Sequence, residues 1–269
     1  MLTKTLVVNG TEHRVLCDDN DFLVDVLRNQ LHYTSVKIGC GKGACGACSV
    51  ILNGKVTRAC ITKMRRVPDF ASITTVEGVG RATNLHPLQQ AWIYHGAVQC
   101  GFCTPGFIVS AYQLLQENLS PTREDVRDWF QKHHNVCRCT GYKHLVDAVM
   151  DAAAIMRGEK TIDDITWKKP EDGRIWGTRM PRRTGVAKVT GQAEYGADLA
   201  LKMPPDTLHL ALTQAKVSHA NILNIDTSEA EKMPGVYRVL TYKDVKGKNR
   251  ITGLITFPSN LGDGWDRPI

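Results

Sequence analysis

The sequence lacks long hydrophobic runs. No stretch approaches the roughly 20 apolar residues that span a bilayer, and the opening MLTKTLVVNG has no apolar signal-peptide block. No membrane partner is expected, and the expected location is the cytoplasm. Aromatic residues are sparse, 7 % of 269. No nucleic-acid motif interleaves them with basic residues, so no nucleic-acid partner is expected either. Acidic residues do not predominate: 34 Lys and Arg stand against 27 Asp and Glu, a formal charge of +7. Carboxylates are missing altogether from KVTRACITKMRR, which holds Lys55, Arg58, Lys63, Arg65 and Arg66. That run reads as a solvated face or as a docking face for an acidic protein. With 42 % hydrophobic residues, the chain has enough apolar mass for two packed domains or a little more.

Cysteine is what the chain has in an unusual pattern. Of nine cysteines, eight fall in two tight groups: Cys40, Cys45, Cys48, Cys60, then Cys100, Cys103, Cys137, Cys139. A disulfide framework would spread them. In a reducing compartment such clustering favours metal ligation. Cys17 stands alone and reads as a small buried hydrophobe.

Turn and periodicity signals organise the rest. Asn9-Gly10 and Asn53-Gly54 each sit between short β runs, as type I′ hairpins require. Between the hairpins, DNDFLVDVLRNQLH repeats apolar residues at helical spacing. The first eighty residues therefore predict a small mixed sheet packed on one helix. From residue 81 the period is helical. LHPLQQAWIYHGAVQ, TPGFIVSAYQLLQEN, PTREDVRDWFQKHH and YKHLVDAVMDAAAIMRG predict four helices in a compact bundle. Thr122 and Asp125 form a capping-box pattern, and Gly158 a C′ terminator. His95 and His133 lie on apolar faces and are expected to be hydrogen-bonded core histidines. Residues 159–185 have a charged, Pro/Gly-rich linker composition. Beyond them, GQAEYGADL, TLHLALTQA and GVYRVLTY suggest a further α/β domain. The closing GDGWDRPI has no apolar periodicity, so this last domain, 186–269, is expected to be incomplete.

The first cysteine group, C-x4-C-x2-C-x11-C, is the plant-type ferredoxin spacing for a 2Fe–2S cluster. Its glycines, Gly39, Gly41, Gly43 and Gly46, let backbone N–H groups turn toward anionic sulfur. The same glycines spell G-x-G-x-x-G, but a dinucleotide turn must open a helix. Here the hairpin SVILNGKV follows. The second group is C-x2-C-x33-C-x-C, between predicted helices. Thr104-Pro105-Gly106 is expected as N-cap, N1 and N2 of a helix whose positive end faces the metal, and Thr140-Gly141 as the equivalent for the last helix. Zinc on four thiolates is the rival for this group. A redox disulfide at CGAC or CGFC would leave the other cysteines without a role. Colour separates iron from zinc, since zinc–thiolate has none.

GCGKGACGACSV, QCGFCTPG and CRCTGY, in that order, resemble the molybdenum hydroxylase (xanthine oxidase/aldehyde oxidase) family, and within it the flavin-free bacterial aldehyde oxidoreductases. The resemblance implies an α+β chain. Its parts would be a ferredoxin-like (β-grasp) 2Fe–2S domain at 1–80, a four-helix 2Fe–2S domain at 81–158 and the start of an α/β molybdenum-cofactor domain. All eight clustered cysteines would be iron ligands. Gln99 and Cys139 would approach a molybdenum-pterin, molybdopterin cytosine dinucleotide, with no FAD. The implied reaction turns an aldehyde and water into a carboxylic acid, with electrons passing singly to an acidic acceptor such as flavodoxin or ferredoxin. A homodimer is expected. The catalytic glutamate of the family would lie beyond residue 269, so no residue here is assigned as acid, base or nucleophile. Hydroxylation of purines or other heterocycles, or a stand-alone two-cluster carrier, are the alternative readings.

Overall fold

The structure, a computed structural model, describes residues 2–247. It divides into one unit up to Lys202 and a second from Met203. In the first unit, β1 (Leu2–Val8) and β2 (Thr11–Cys17) pair antiparallel, with Val8 opposite Thr11. Asn9 and Gly10 turn the chain at φ +51° and +83°, the positive values that a type I′ turn demands. The predicted helix is short: α1 (Leu23–Asp25) runs into a wider π-type turn over Val26–Gln30. It still buries Leu23, Val24, Val26 and Leu27 against the sheet. The second hairpin joins β3 (Ser49–Leu52) to β4 (Lys55–Arg58) through Asn53 and Gly54. β5 (Ala71–Thr74) then completes a five-stranded sheet in the order β2-β1-β5-β3-β4. β5 lies parallel to β1 and antiparallel to β3.

A short α2 (Val76–Val79) leads into the helical part: α3 (Pro87–Tyr94), α4 (Thr104–Glu117), α5 (Arg123–Lys132) and α6 (Lys143–Met156). Their core is Leu88, Ala91, Trp92, Phe107, Ile108, Leu114, Val126, Phe130, Leu145 and Val149. The Thr122–Asp125 capping box is present in both directions, at 3.1 and 2.8 Å. Gly158 ends α6 at φ +77°. His95 Nε2 donates to the Asp151 carboxylate at 2.7 Å, as expected of a satisfied core histidine. His133 differs. Its Nε2 is buried without a hydrogen-bond partner, because the ring packs on Trp129 at 4.5 Å instead of on a polar group.

The charged stretch after Gly158 begins docked: Ile162 and Ile165 reach the helical core. Two further short helices, α7 (Gly185–Val189) and α8 (Gly196–Ala200), close the first unit. In the second unit the described residues hold α9 (Ser228–Lys232) and one 3-10 turn at Tyr242–Asp244. TLHLALTQA and GVYRVLTY form no strand among the described residues. Leu208, Leu210 and Leu212 are 63 %, 81 % and 76 % exposed; a strand exists only through a neighbour's backbone, and none is paired with them there. GDGWDRPI lies outside the described residues. No described helix is long and apolar enough to cross a membrane.

Candidate metal centres

The loop between the π-type turn and β3 carries Cys40, Cys45 and Cys48, and a 3-10 turn after β4 returns Cys60. Cys40 Sγ accepts from the Lys42 and Ala44 backbone N–H groups at 3.3 and 3.2 Å. Those donors draw its thiol down to about 7 against the opposing effect of burial. Cys45, its hydrogen-bonded partner, is pushed up by burial. Cys48 Sγ accepts from the Cys60 N–H at 3.5 Å, and burial pushes Cys48 up to about 12. Gly46 makes the loop possible. It sits at φ +64°, and a Cβ there would stand 2.7 Å from Asn135 Nδ2 and 2.9 Å from the His134 carbonyl oxygen.

The second nest forms where α4 and α6 begin. α4 starts one residue before the expected register, with Cys103 itself in the cap position and no side-chain cap bond. The Cys103 backbone is already helical at φ −84°, ψ −12°, so the cysteine loop runs straight into the helix. Thr140-Gly141 do not cap α6; Tyr142 precedes it, at φ +66°. Thr140 instead wraps a sulfur: its Oγ1 lies 3.1 Å and its N–H 3.4 Å from Cys137 Sγ. The Cys103 thiol also bonds Cys137, drawing Cys137 down to about 5 and pushing Cys103 up. Cys139 pairs with Cys100 in the same manner and is raised by that bond. The Cys137 N–H donates to the Tyr142 hydroxyl oxygen at 3.0 Å.

The thiols thus gather as four pairs: Cys40 with Cys45, Cys48 with Cys60, Cys100 with Cys139, Cys103 with Cys137. No three Cys, His, Asp or Glu side chains among the described residues converge as a single-ion site. Tetrahedral zinc needs four sulfurs about 2.3 Å from one point. Two sulfide-bridged irons need two thiolates each, with N–H groups turned toward the sulfurs. The donor set fits the second requirement.

The nests abut. The Val136 N–H donates to the Cys45 carbonyl at 3.1 Å, and Gly106 at the start of α4 lies against the Gly46 carbonyl, where a Cβ has no room.

Comparison with known proteins agrees with this architecture. Residues 6–70 match the 2Fe-2S iron-sulfur cluster binding domain, 75–150 the 2Fe-2S binding domain, and 190–262 the aldehyde oxidase and xanthine dehydrogenase a/b hammerhead domain. The aldehyde oxidoreductase of Megalodesulfovibrio gigas is 68 % identical over 269 residues, all of this chain and 30 % of the relative. The nicotine 6-hydroxylase small subunit of Paenarthrobacter nicotinovorans is 46 % identical over 145 residues, which cover 54 % of this chain and 86 % of that subunit. The chain belongs to the xanthine oxidase/aldehyde oxidase family of molybdenum hydroxylases. The crystal structure of the aldehyde oxidoreductase from Desulfovibrio desulfuricans ATCC 27774 superposes with a TM-score of 0.92 at 74 % identity, covering 100 % of this chain and 30 % of that one. The chain therefore spans under a third of the length of these two aldehyde oxidoreductases.

Gln99 and Cys139 are the two positions expected to approach a pterin. Gln99 lines a cavity of about 240 Å³ together with His95, His144, Arg179 and Arg182. Cys139 is exposed. The basic run surrounds Cys60 in the sequence: Lys55, Arg65 and Arg66 are exposed, whereas Arg58 donates to the Gly43 carbonyl at 2.6 Å and Lys63 to Asn20 at 3.1 Å. Ile61, 41 % exposed, packs over Gly43.

Sequence reasoning missed a buried charge cluster. Arg28 and Lys37, in the first domain, both bind the Asp198 carboxylate, Arg28 at 2.7 Å. All three are buried. Burial disfavours the Asp198 carboxylate, but the bonds from Lys37 and Arg28 outweigh it and hold its pKa low. A buried carboxylate needs such partners. GQAEYGADL shows only a short acidic stretch, with no sign of the two cations it meets.

Proposed function

We propose that this chain is the electron-transfer part of a molybdenum-dependent aldehyde oxidoreductase. The observation that carries the electron-transfer role is the gathering of eight thiols as four pairs. In this reading Cys40, Cys45, Cys48 and Cys60 hold one 2Fe–2S cluster, and Cys100, Cys103, Cys137 and Cys139 the other. Residues 1–80 and 81–158 are the two cluster domains, 159–185 a linker, and 186–269 part of the molybdenum-cofactor domain. When bound, the molybdenum-pterin supplies hydroxylation, aldehyde plus water giving carboxylic acid, two electrons and two protons, and the clusters carry those electrons singly. Gln99 and Cys139 face the pterin, taken as molybdopterin cytosine dinucleotide. The chain's own residues do the holding. Lys42, Ala44 and Thr140 turn N–H groups onto sulfur, and Val136 ties one ligand loop to the other.

Aldehyde as substrate is supported by 68 % identity over the whole chain to a protein named for it. The absence of FAD is supported by the short interval between the matches ending at 150 and beginning at 190. Electrons leave to an acidic acceptor such as flavodoxin or ferredoxin, docking over Ile61, Arg65 and Arg66 beside the first nest. The protein is a cytoplasmic homodimer in this reading. The test is oxidation of acetaldehyde or benzaldehyde, against xanthine, with an artificial electron acceptor, on protein analysed for molybdenum and iron. Aldehyde turnover with molybdenum present is expected. Turnover of xanthine alone overturns the aldehyde assignment in favour of a heterocycle hydroxylase. Iron without molybdenum or turnover overturns the enzyme in favour of a stand-alone carrier.

A further inference from the structure

The loop Gln99–Phe102 carries Cys100, and part of what holds it comes from nearly a hundred residues later. The Lys188 ammonium donates to the Gln99 carbonyl at 2.8 Å, and the Tyr195 hydroxyl to the Cys100 carbonyl at 2.7 Å. The Lys188 stem lies flat on Gly101, where a Cβ would stand 2.5 Å from its Cδ. The Tyr195 ring meets Phe102 edge-on at 5.3 Å. Two donors therefore clamp the consecutive carbonyls that flank the Cys100 Cα.

Both donors are themselves held. The Tyr195 N–H donates to Asp198 at 2.9 Å, and Asp198 is the centre of the buried cluster with Lys37 and Arg28. Lys37 Nζ lies 4.7 Å over the Tyr195 ring and bonds the Ala193 carbonyl. On the other side, Gln89 of α3 donates to the Val189 carbonyl at 3.0 Å. The segment 185–198 is thus pinned to the first domain at one end and to the helical domain at the other.

Lys188 forms no ion pair with a carboxylate among the described residues. Among the described residues this half-buried ammonium is bonded to a carbonyl, and no carboxylate neutralises its charge. The charge sits at the Gln99 carbonyl, one residue before Cys100. A fixed cation stabilises the more negative, reduced state of an iron–sulfur site.

We propose that Lys188 and Tyr195 are positioning residues for the second cluster: their paired bonds fix the Cys100 loop, and the Lys188 charge holds that cluster at a higher reduction potential. This rests on the reading that Cys100 is an iron ligand. The experiment is an EPR-monitored redox titration of the intact, metal-loaded enzyme, in which each 2Fe–2S cluster gives its own rhombic signal. Iron and acid-labile sulfide are measured first, about four of each per chain for two clusters. Lys188→Met keeps the stem on Gly101 and removes the charge. It is expected to move the midpoint of one signal to lower potential and leave the other in place, and Lys188→Arg is expected to restore it. Tyr195→Phe keeps the ring contacts and is expected to change the g values of that same signal. Midpoints unmoved in Lys188→Met, or both moving together, overturn the inference. Wild-type protein without iron and sulfide overturns the ligand reading instead, so the two failures are distinct. If Lys188→Met loses its metal, Lys188→Gln with the same titration replaces it, and an unmoved midpoint there overturns the inference equally.

Discussion

At the residue scale, two residues without redox chemistry of their own shape the site. Gly46 occupies a left-handed backbone position pressed against His134 and Asn135. Forcing an L residue into such a conformation costs about 1–3 kcal/mol before the clash is counted. Gly46→Ala is therefore expected to lose iron from the first nest, seen as the disappearance of one of two EPR signals while the other persists. Asp198 is the opposite case, a buried charge that depends on its partners. Asp198→Asn leaves Lys37 and Arg28 buried without their counter-ion. Breaking a buried pair in this way costs about 3–5 kcal/mol, so urea unfolding of the variant is expected to show that loss. The glycine was legible, because its spacing among cysteines announces a metal loop. The aspartate was not, because nothing near residue 198 in the chain names its partners.

At the element scale, the helices follow from local rules and their junctions do not. The Thr122–Asp125 box could be read directly, since both ends of the motif lie within one turn. Thr122→Ala is expected to cost about 1 kcal/mol, measured by thermal unfolding. Between α5 and α6, Asp147 takes bonds from Arg123 and Lys143. Burial alone would raise its pKa, but those two bonds prevail and hold it at about 2. A carboxylate depressed on folding stabilises above its ordinary pKa and loses that contribution as pH falls through the folded one. The α5–α6 contact is thus expected to weaken between pH 3.8 and about 2, and acid unfolding followed by circular dichroism should be less pH-dependent there in Asp147→Asn. The expected cap at Thr104 and the expected role of Thr140-Gly141 failed for one reason. Both threonines stand beside cysteines: the helix starts at Thr104 with Cys103 in the cap position, and Thr140 bonds the Cys137 sulfur.

At the scale of the whole molecule, the proposed encounter with an acidic acceptor is a matter of charge distribution. Arg65 and Arg66 are exposed, five and six residues after Cys60, and steering by such a patch acts on association and falls with salt. Arg65→Glu with Arg66→Glu is expected to slow reduction of an acidic acceptor several-fold at low salt and to flatten its salt dependence. Stopped-flow kinetics over a range of ionic strength measures both, and unchanged kinetics would reject this face as the docking site. Turnover with a small neutral acceptor should stay as in the wild type, since that reaction needs no protein encounter.

The sequence by itself determined the two hairpins, the four helices and the grouping of eight cysteines, because turn chemistry, helical period and ligand spacing each act over a few neighbouring residues. Only the tertiary structure decided which sulfur pairs with which, that His133 Nε2 has no hydrogen-bond partner among the described residues, and how Asp198 reaches Lys37 across 161 residues. Those outcomes depend on surfaces that meet after the chain has folded, and a local pattern carries no record of the surface it will meet.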